Sequence, residues 1–401
     1  MMQSNASHLL FVIRRELLAV VFVIAMSLTI SPAFAATPAI LIGPDLKPRQ
    51  VNLQAMGGGR MSFFDAERTL QVEPVGAVLQ IRFPVDAAVK TEESPAAAAK
   101  PQAAFVELID GQRLIGKFLG SDGDGQKLRF EHAALGEITI ALDKVARLSF
   151  DGSSHNRATP KEDVIRLSNG DELTGFVLAV KEAGIEVQQG KGKPFVLPRD
   201  RVVALHLANP IQRAAGKQHL AWLRDGSRVL TAEVAISAEK LTFPTPLAGK
   251  SPVVLPLADI ARIELASLEG QLVDLAELPM SVTAGGKVFG LAMGPHVEGD
   301  MLRLHAPVTV EFALPAGAKR FAAIAELDAE GEDASLADFL VSIVSNNETT
   351  ARHAITGKLP RAEINAALAG RTLTLTLDPA GNGPVLDRLR LRDAVVFVGS
   401  K

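Results

Sequence analysis

A short phrase recurs three times at nearly even spacing, and this recurrence limits the possible folds more than any other feature of the sequence. In each copy an alternating pattern runs into Asp-Gly or Asn-Gly, at the glycines Gly111, Gly170 and Gly226. These glycines are 59 and 56 residues apart. A repeat of this period indicates tandem copies of one small folding unit. Each copy is predicted to open with a β-hairpin, because Asp-Gly and Asn-Gly are strong hairpin signals.

Each copy also ends with the same nine-residue pattern, at residues 140–148, 197–205 and 255–263, which align without a gap. Five short strands in about 45 residues can bury one face only by curling into a small barrel. The start of the mature chain resembles a degenerate fourth copy. The predicted organisation is therefore a set of barrels, with a linker before the second, at residues 36–83, 84–104 (linker), 105–150, 162–208 and 218–266.

The first 35 residues have the pattern of an export signal. Two arginines, Arg14 and Arg15, precede an apolar run at residues 17–30, and small residues follow at 33–35. The apolar run is shorter than the ~20 residues needed to span a bilayer. We therefore expect cleavage near residue 36, no stable membrane span afterwards, and a periplasmic, extracellular or cell-envelope location. An uncleaved anchor is the alternative.

Composition excludes several kinds of site. The chain has no cysteine and no tyrosine, and Trp222 is its only tryptophan. Thiolate metal sites and cysteine nucleophiles are therefore excluded. The formal net charge of -3 gives no electrostatic case for nucleic acid binding. We expect no metal, no cofactor and no catalytic residues, since no serine, histidine and acid occur in a recognisable local frame.

From residue 269 the repeated phrase is absent and longer alternating strands follow. Three elements resemble the NPCBM family of carbohydrate-binding modules found beside family 98 glycoside hydrolases. They are a glycine-rich run ending at His296, a Leu-Pro-x-Gly-x-x-x-Phe strand through Phe321 to Asp328, and a closing segment that starts at Asp387. Leu391 departs from the family's usual tryptophan. The resemblance implies a jelly-roll β-sandwich at residues 269–401 and a carbohydrate ligand.

The repeats have a resemblance of their own. The phrase Asp-Gly-x-x-Leu-x-Gly resembles the first half of the Sm-like fold signature, a small bent-sheet barrel, and this similarity implies a fold only. The sequence as a whole predicts an all-β protein in which tandem SH3/Sm-like barrels precede a jelly-roll sandwich.

The resemblance to NPCBM gives three candidate ligand-binding residues, His296, Asp328 and Asp387. Each has a simpler interpretation as well. His296 fits a turn held by backbone hydrogen bonds, and Asp328 begins an acidic turn that is more typical of a solvated loop than of a calcium site. For Trp222, core packing is favoured over a stacking platform, which leaves residues 269–401 as the place to look for a ligand.

The predicted function is that of an exported, non-catalytic binding protein of the cell envelope, with a glycan or polysaccharide as ligand. The alternative is a structural or scaffold protein whose repeats assemble with themselves or with another envelope protein. The absence of disulfides in an exported chain fits either interpretation, since such a chain depends on its core or on assembly for stability.

Overall fold

The glycines of the repeated phrase sit where the backbone requires them. Gly111, Gly170 and Gly226 have φ values of 92°, 89° and 92°, in the left-handed region that glycine adopts without strain. The aspartate or asparagine before each glycine accepts a hydrogen bond from the backbone N–H two residues further on, at 2.7–3.1 Å. The phrase therefore encodes a hairpin turn closed by its own side chain.

The last glycine of the phrase has a different role. A Cβ at Gly116 would lie 2.2 Å from the carbonyl oxygen of Glu131, and one at Gly175 would lie 2.8 Å from that of Gln188. At these points the second strand of the unit passes close to the third. Thr231 occupies the equivalent position in the last copy, and the strand ends there.

The computed structural model describes residues 36–84, 103–151, 160–210, 212, 218–249, 251–285, 287–288, 291–292, 294–298, 301–328, 332–381, 383 and 386–400. The predicted export signal and almost all of the predicted linker at 84–104 lie outside these residues. Within them the secondary structure is strands and short 3-10 turns, which confirms the predicted all-β class. No helix among them is long and apolar enough to cross a membrane.

Four units of similar plan occupy residues 37–264, and we call them the first to fourth units. The strands of the first unit are β1 (Thr37–Ile42), β2 (Pro48–Gly57), β3 (Arg60–Phe64), β4 (Leu70–Pro74) and β5 (Gln80–Arg82). Those of the second unit are β6 (Ala104–Leu108), β7 (Arg113–Ser121), β8 (Lys127–His132), β9 (Gly136–Ala141) and β10 (Val145–Ser149).

The third and fourth units continue the series. The strands of the third are β11 (Asp163–Leu167), β12 (Glu172–Val180), β13 (Gly184–Gln188), β14 (Phe195–Pro198) and β15 (Val202–His206). Those of the fourth are β16 (His219–Leu223), β17 (Arg228–Thr231), β18 (Ala235–Ser237), β19 (Lys240–Phe243), β20 (Val253–Pro256) and β21 (Ile260–Glu264). Short 3-10 turns lie at Val75–Ala77, Leu142–Lys144, Arg199–Arg201, Pro246–Ala248 and Leu257–Asp259.

Every unit is a curled antiparallel sheet. The first strand pairs with both the second and the last, and the second, third and fourth strands pair in order. A register shift bends the second strand in the first three units. In the fourth unit the second strand is split into β17 and β18. Such irregularities let a small sheet curl over its own apolar side chains.

The units associate in two pairs through their last strands, the first with the fourth and the second with the third. Strand β5 of the first unit pairs with β21 of the fourth, where Ile81 lies opposite Ile263. Strand β10 of the second unit pairs with β15 of the third, where Leu148 lies opposite Leu205. Within each pair, equivalent positions of the repeat face each other, as they do across a two-fold axis.

The C-terminal part is a β-sandwich. Its strands are β22 (Gly270–Asp274), β23 (Met280–Gly285), β24 (Lys287–Val288), β25 (Leu291–Ala292), β26 (His296–Glu298), β27 (Met301–His305), β28 (Val308–Ala313), β29 (Ala318–Leu327), β30 (Asp338–Ser345), β31 (Glu348–Thr356), β32 (Arg361–Ala367), β33 (Thr372–Pro379) and β34 (Arg388–Gly399). Further 3-10 turns lie at Leu275–Glu277 and Glu332–Leu336.

The sandwich has two main sheets. One has the order β26-β27-β34-β29-β32, with β22 also paired to β34, and the other has the order β23-β28-β33-β30-β31. A single apolar core lies between them and includes the fully buried rings of Phe312, Phe321 and Phe339. Arg82 of the first unit pairs with Asp393 of β34 at 2.7 Å, which ties the sandwich to the units.

Candidate functional site

One row of side chains crosses three of the four units. Starting from β10 and moving strand by strand through β6, β7, β17, β16, β21 and β5, the Cα partners are Arg147, Glu107, Arg113, Arg228, Trp222, Arg262 and Arg82. Cross-strand partners share a face of the sheet. The only tryptophan of the chain therefore stands on one face with an arginine on each side.

A cleft of about 870 Å³ lies over this row, between the units and the sandwich. Its arginines are Arg113, Arg147, Arg224, Arg228, Arg262 and Arg392. Its carboxylates are Glu107, Asp225, Asp274, Glu277 and Asp393. The remaining walls include the rings of Phe105 and Trp222 and the side chain of Met301. The cleft thus combines charged side chains with a larger apolar wall, and it is built from both halves of the molecule.

Trp222 is held between two guanidinium groups. The guanidinium carbon of Arg262 lies 3.6 Å from the ring centroid, and that of Arg228 lies 5.0 Å from it. Both distances fall within the range of cation–π attraction. The indole Nε1 is buried and has no hydrogen-bond acceptor among the described residues, and the same is true of Nε of Arg228.

Carboxylates from the sandwich hold the two arginines in place. Nη2 of Arg262 donates to both carboxylate oxygens of Asp274 at 3.2 Å. Arg228 donates to Glu277, and its Nη2 lies 3.4 Å from Glu107 of the second unit. These ion pairs are charge-assisted and largely removed from water. They fix the positions of Arg228 and Arg262 beside Trp222.

Glu264 belongs to this charge network, since its Oε1 lies 3.4 Å from Nε of Arg262. Burial is the largest cause that raises its pKa, the nearby Asp274 raises it further, and Arg262 opposes both, with a resulting pKa of about 8. Glu264 also lines a second cavity of about 280 Å³ beside the cleft, together with Glu107, Asp110 and Glu277. These surroundings therefore favour the protonated carboxyl of Glu264 more than water does.

The structure also brings a serine, a histidine and an aspartate together. Nε2 of His132 lies 2.9 Å from Oγ of Ser227 and 3.4 Å from Oδ2 of Asp225. Nδ1 of His132 accepts backbone N–H groups from Ala134 and Leu135. Nδ1 therefore carries no proton and Nε2 does, so the imidazole cannot accept a proton from Ser227. Nucleophilic catalysis needs the opposite arrangement, in which the base nitrogen faces the serine.

This trio acts as a brace between units. Ser227 is fully buried, and its Oγ also accepts the backbone N–H of Ile115 in the second unit. Burial is the largest influence on the pKa of Asp225 and raises it, but hydrogen bonds from His132 and Ser227 outweigh it, and the pKa is lowered. Asp225 therefore stays ionised beside the cleft.

Of the residues predicted from the sequence, His296 and Asp328 lie near each other on the outer face of the sandwich. His296 is exposed and lies opposite Arg303 across β26 and β27. Nε of Arg303 lies 3.6 Å from Oδ2 of Asp328, and Nη1 of Arg390 lies 3.9 Å from its Oδ1. Glu330, part of the acidic turn, lies outside the described residues, and no cluster of three metal-ligating side chains occurs among those described.

The side chain of Asp387 is buried, unlike those of His296 and Asp328. It is fully buried, and its Oδ1 accepts the backbone N–H of Asp338 at 3.0 Å. Burial is the largest cause that raises its pKa. The chain beside Asp387 runs close to Asp328, whose backbone N–H donates to the carbonyl oxygen of Arg388 at 2.8 Å. The carboxyl of Asp387 is nevertheless buried and holds the start of β30, whereas Asp328 pairs with Arg303 and Arg390.

The aromatic side chains that the structure describes in the sandwich are buried. Phe312, Phe321 and Phe339 are in the core, and Phe397 is 5% exposed. Phe289 lies outside the described residues. Trp222 of the fourth unit, for which the sequence favoured core packing, is half-buried and lines the cleft. The one sequence signal for Trp222 was that it is the only tryptophan of the chain.

Comparisons with known proteins give distant similarities. No family profile and no curated protein matches this sequence. Among solved structures, the chain is similar to a CBM51 module from Clostridium perfringens GH95 in complex with methyl-galactose, with 18% identity, a TM-score of 0.22, and coverage of 24% of this chain and 70% of that one.

Two further solved structures show the same range of similarity. The tandem CBM51 modules of the family 98 glycoside hydrolase Sp3GH98 from Streptococcus pneumoniae share 10% identity at a TM-score of 0.26, with 90% of this chain and 88% of that one covered. A CBM51-2 module with GlcNAc and INT domains from Clostridium perfringens ZmpB shares 12% identity at a TM-score of 0.28, with 47% and 46% covered. These TM-scores are too low for any of the three structures to assign a ligand.

Proposed function

We propose that this protein is an exported, non-catalytic binding protein of the cell envelope that binds carbohydrate in the cleft around Trp222. The observation that carries the proposal is the cleft itself. Its volume of about 870 Å³ lies in the range of small-molecule sites, and its walls combine Trp222 and other apolar side chains with charged ones. Sugars are recognised by this combination of a flat apolar surface and a few orienting polar groups.

The mode of contact follows from the neighbours of Trp222. Because Arg228 and Arg262 flank the ring, a sugar is expected to meet the indole edge and the guanidinium planes rather than to stack on an open ring face. Arginine offers five donors in a rigid fork, which suits ring oxygens and hydroxyl groups.

The sequence supports the remaining parts of the proposal. The pattern of residues 1–35 supports export, and the tautomer imposed on His132 supports a role without acyl-transfer chemistry. We also propose that residues 269–401 are an NPCBM-like module and that the four units are Sm-like barrels, on the motifs that resemble those families.

We propose His296 and Asp328 as outer contacts for longer glycans. Arg392 lines the cleft and its Nη1 donates to Oε2 of Glu326 at 3.3 Å, on the same sheet face as Arg303 and Asp328. A chain of several sugars that leaves the cleft on this side would pass over these residues. His296→Ala should then weaken binding of hexasaccharides while it leaves binding of disaccharides unchanged.

The test of the proposed function is a glycan array probed with the full mature chain, followed by calorimetric titration of each binding glycan. We expect saturable binding that Trp222→Ala weakens at least about 10-fold. This substitution does not touch Phe312 or the rest of the sandwich core. Absence of binding to every glycan would refute the proposal.

A second candidate function is assembly through the repeats, and one observation favours it. Strands β4 and β14 pair with β3 and β13 on one edge, and neither has a partner strand on its other edge among the described residues. Large apolar side chains are exposed there, with Leu70 at 55% and Val196 at 60%. Unprotected edges of this kind favour strand pairing between chains.

Sedimentation of the full chain over a range of concentrations separates the two functions. Assembly predicts oligomers that the double variant Leu70→Lys, Val196→Lys disperses. Carbohydrate binding alone predicts a monomer at every concentration.

A further inference from the structure

The second and fourth units meet through the turn of the repeated phrase and the start of the strand that follows it, which we call the hairpin edge. In the first to fourth units it spans residues 43–50, 108–115, 167–174 and 223–230. Oε1 of Gln112 in the second unit accepts the backbone N–H of Leu230 at 3.0 Å. Oγ of Ser227 in the fourth unit accepts the backbone N–H of Ile115 at 2.9 Å. These residues are at equivalent positions of the repeat, so the contact is nearly two-fold.

An arginine of each unit lies at the centre of this contact. Arg113 and Arg228 are Cα partners across β7 and β17. Their like charges are offset across the contact, since Nη2 of Arg228 lies 3.4 Å from Oε1 of Glu107. Glu107 is itself the Cα partner of Arg113, on β6. The charge of one unit therefore pairs with the strand partner of the opposing charge.

The hairpin edge of the third unit has the same parts and faces no strand of another unit among the described residues. There β12 pairs with β11 only, and its pairing with β13 begins at residue 176. Asp171, Glu172 and Thr174 are exposed. The backbone N–H of Thr174 points away from β11, as that of Ile115 points away from β6. Asp171 accepts from Nδ2 of Asn169 at 2.6 Å, and a carboxylate has room for a further donor.

The charges of this edge are reversed relative to those of the second unit. Glu172 is at the position of Arg113, and its Cα partner Arg166 is at the position of Glu107. Two copies of the edge, placed as the second and fourth units are, set Glu172 of each copy beside Arg166 of the other. A two-fold contact makes each such interaction twice. The fourth unit has Trp222 in place of the charged strand partner, so the self-contact of the third unit has the more complete charge pattern.

The hairpin edge of the first unit cannot form the same contact. Pro48 is at the position of Arg113 and has no backbone N–H to donate. Lys47 is at the position of Gln112, and its side chain carries donors and no acceptor. The occupant that fits the edge of the third unit is therefore the same edge of a second copy.

We propose that two copies of this chain form a two-fold dimer through the hairpin edges of their third units. Glu172 of each copy pairs with Arg166 of the other, and Asp171 of each accepts the backbone N–H of Thr174 from the other. The contact is small, so we expect a dimer Kd on the order of 0.1 mM, at the weak end of specific interfaces. It uses neither the cleft around Trp222 nor the exposed edges of β4 and β14, and it closes at two chains.

Sedimentation velocity of the full mature chain, from about 5 µM to 0.5 mM, measures this dimer on both sides of the expected Kd. Glu172→Arg leaves only positive charge at the two positions, and Arg166→Glu leaves only negative charge. Each change sets like charges against each other across the two-fold, so each variant should raise the dimer Kd at least about 10-fold. Glu182→Arg, a charge reversal at an exposed position between β12 and β13, is the control and should dimerise as wild type does.

An equimolar mixture of Glu172→Arg and Arg166→Glu separates a lost contact from a damaged fold. In the mixture each positive edge meets a negative one, so heterodimers should form with the affinity of the wild-type dimer. Far-UV circular dichroism checks that each variant is folded. Glycan binding by Glu172→Arg should equal that of wild type, because the edge is separate from the cleft.

Three outcomes would overturn the proposal. One is a wild-type chain that stays monomeric over the whole concentration range. Another is a mixture in which the two variants do not restore each other. The third is a dimer that Leu70→Lys, Val196→Lys disperses and Glu172→Arg leaves unchanged, which would assign association to β4 and β14. Failure to bind any glycan would refute the carbohydrate function and leave this dimer standing.

Discussion

The guanidinium carbon of Arg262 lies 3.6 Å from the centroid of the Trp222 ring, and the two residues are Cα partners on β21 and β16. The same guanidinium is held by Asp274 of the sandwich. One arginine therefore fixes both the ring at the centre of the cleft and the position of the sandwich beside the units. The shape of the cleft depends on this buried pair.

Replacing Asp274 by asparagine removes the charge that faces Arg262 and keeps the shape of the side chain. Arg262 is 5% and Asp274 is 9% exposed, so the guanidinium would lose its main counter-charge inside the protein. We expect the free energy of unfolding to fall by about 2–3 kcal/mol, less than the ~3–5 typical of a broken buried pair, because Asp393 stays near Arg262.

Urea denaturation measures this effect. The control is Asp143→Asn, which breaks an exposed pair with Lys144 and should change stability by less than about 0.5 kcal/mol. Equal effects of the two changes would mean that Asp274 does not hold Arg262 in solution.

The pKa of about 8 at Glu264 predicts a pH dependence of stability. The folded protein holds this proton to about pH 8, whereas an unfolded glutamate loses it near pH 4.5. Between these values the folded state binds one more proton, so the free energy of unfolding falls as pH rises, at up to ~1.4 kcal/mol per pH unit. Below this pH range the carboxyl of Glu264 is protonated in both the folded and the unfolded state. Its titration then no longer lowers the free energy of unfolding.

Thermal melting of wild type and Glu264→Gln between pH 5 and pH 8 tests the assignment. The glutamine variant has no proton to lose and should show a flatter decline. A decline of the same slope in both proteins would assign it to other groups.

The pairing of units through their last strands predicts unequal effects of two similar truncations in the third unit. Leu205 is 1% exposed and faces Leu148 of the second unit, so Leu205→Ala should cost about 2–5 kcal/mol. Val196 is 60% exposed on β14, and Val196→Ala should cost less than about 0.5 kcal/mol. Chemical denaturation of both variants checks this. A small effect at Leu205 would argue against the observed pairing.

Asp387 is predicted to affect stability and not ligand binding. Asp387→Ala leaves the N–H of Asp338 without its acceptor, at a cost of about 1–3 kcal/mol. Asp387→Asn keeps an acceptor oxygen and should cost less. Both variants should bind glycans as wild type does, and loss of glycan binding in a folded Asp387→Asn would reinstate it as a ligand contact.

The sequence predicted the hairpins well because their cause is local. Gly111 and its counterparts adopt a backbone conformation that few other residues tolerate, so a turn can be read from a few letters. The row through Trp222 could not be predicted in this way. It depends on pairing between Arg113 and Arg228, which belong to different units, and on the pairing of β5 with β21 across most of the repeat region.

For the same reason, the ligand-binding residues predicted from the sequence all lie within residues 269–401. Motifs identify residues within one domain, and His296 and Asp328 do lie on one face of the sandwich. The cleft is instead formed where the sandwich meets the units, and its arginines belong to segments that are far apart in the chain. Only the register of the strands shows that these arginines lie in one cleft.

The fluorescence of Trp222 tests the central claim most directly, because it is the only tryptophan of the chain and stands in the cleft. The emission of the full mature chain is recorded during titration with each glycan that calorimetry shows to bind. We predict a saturable change whose midpoint agrees with the calorimetric affinity. Glycan binding that leaves the emission of Trp222 unchanged would contradict binding in the cleft.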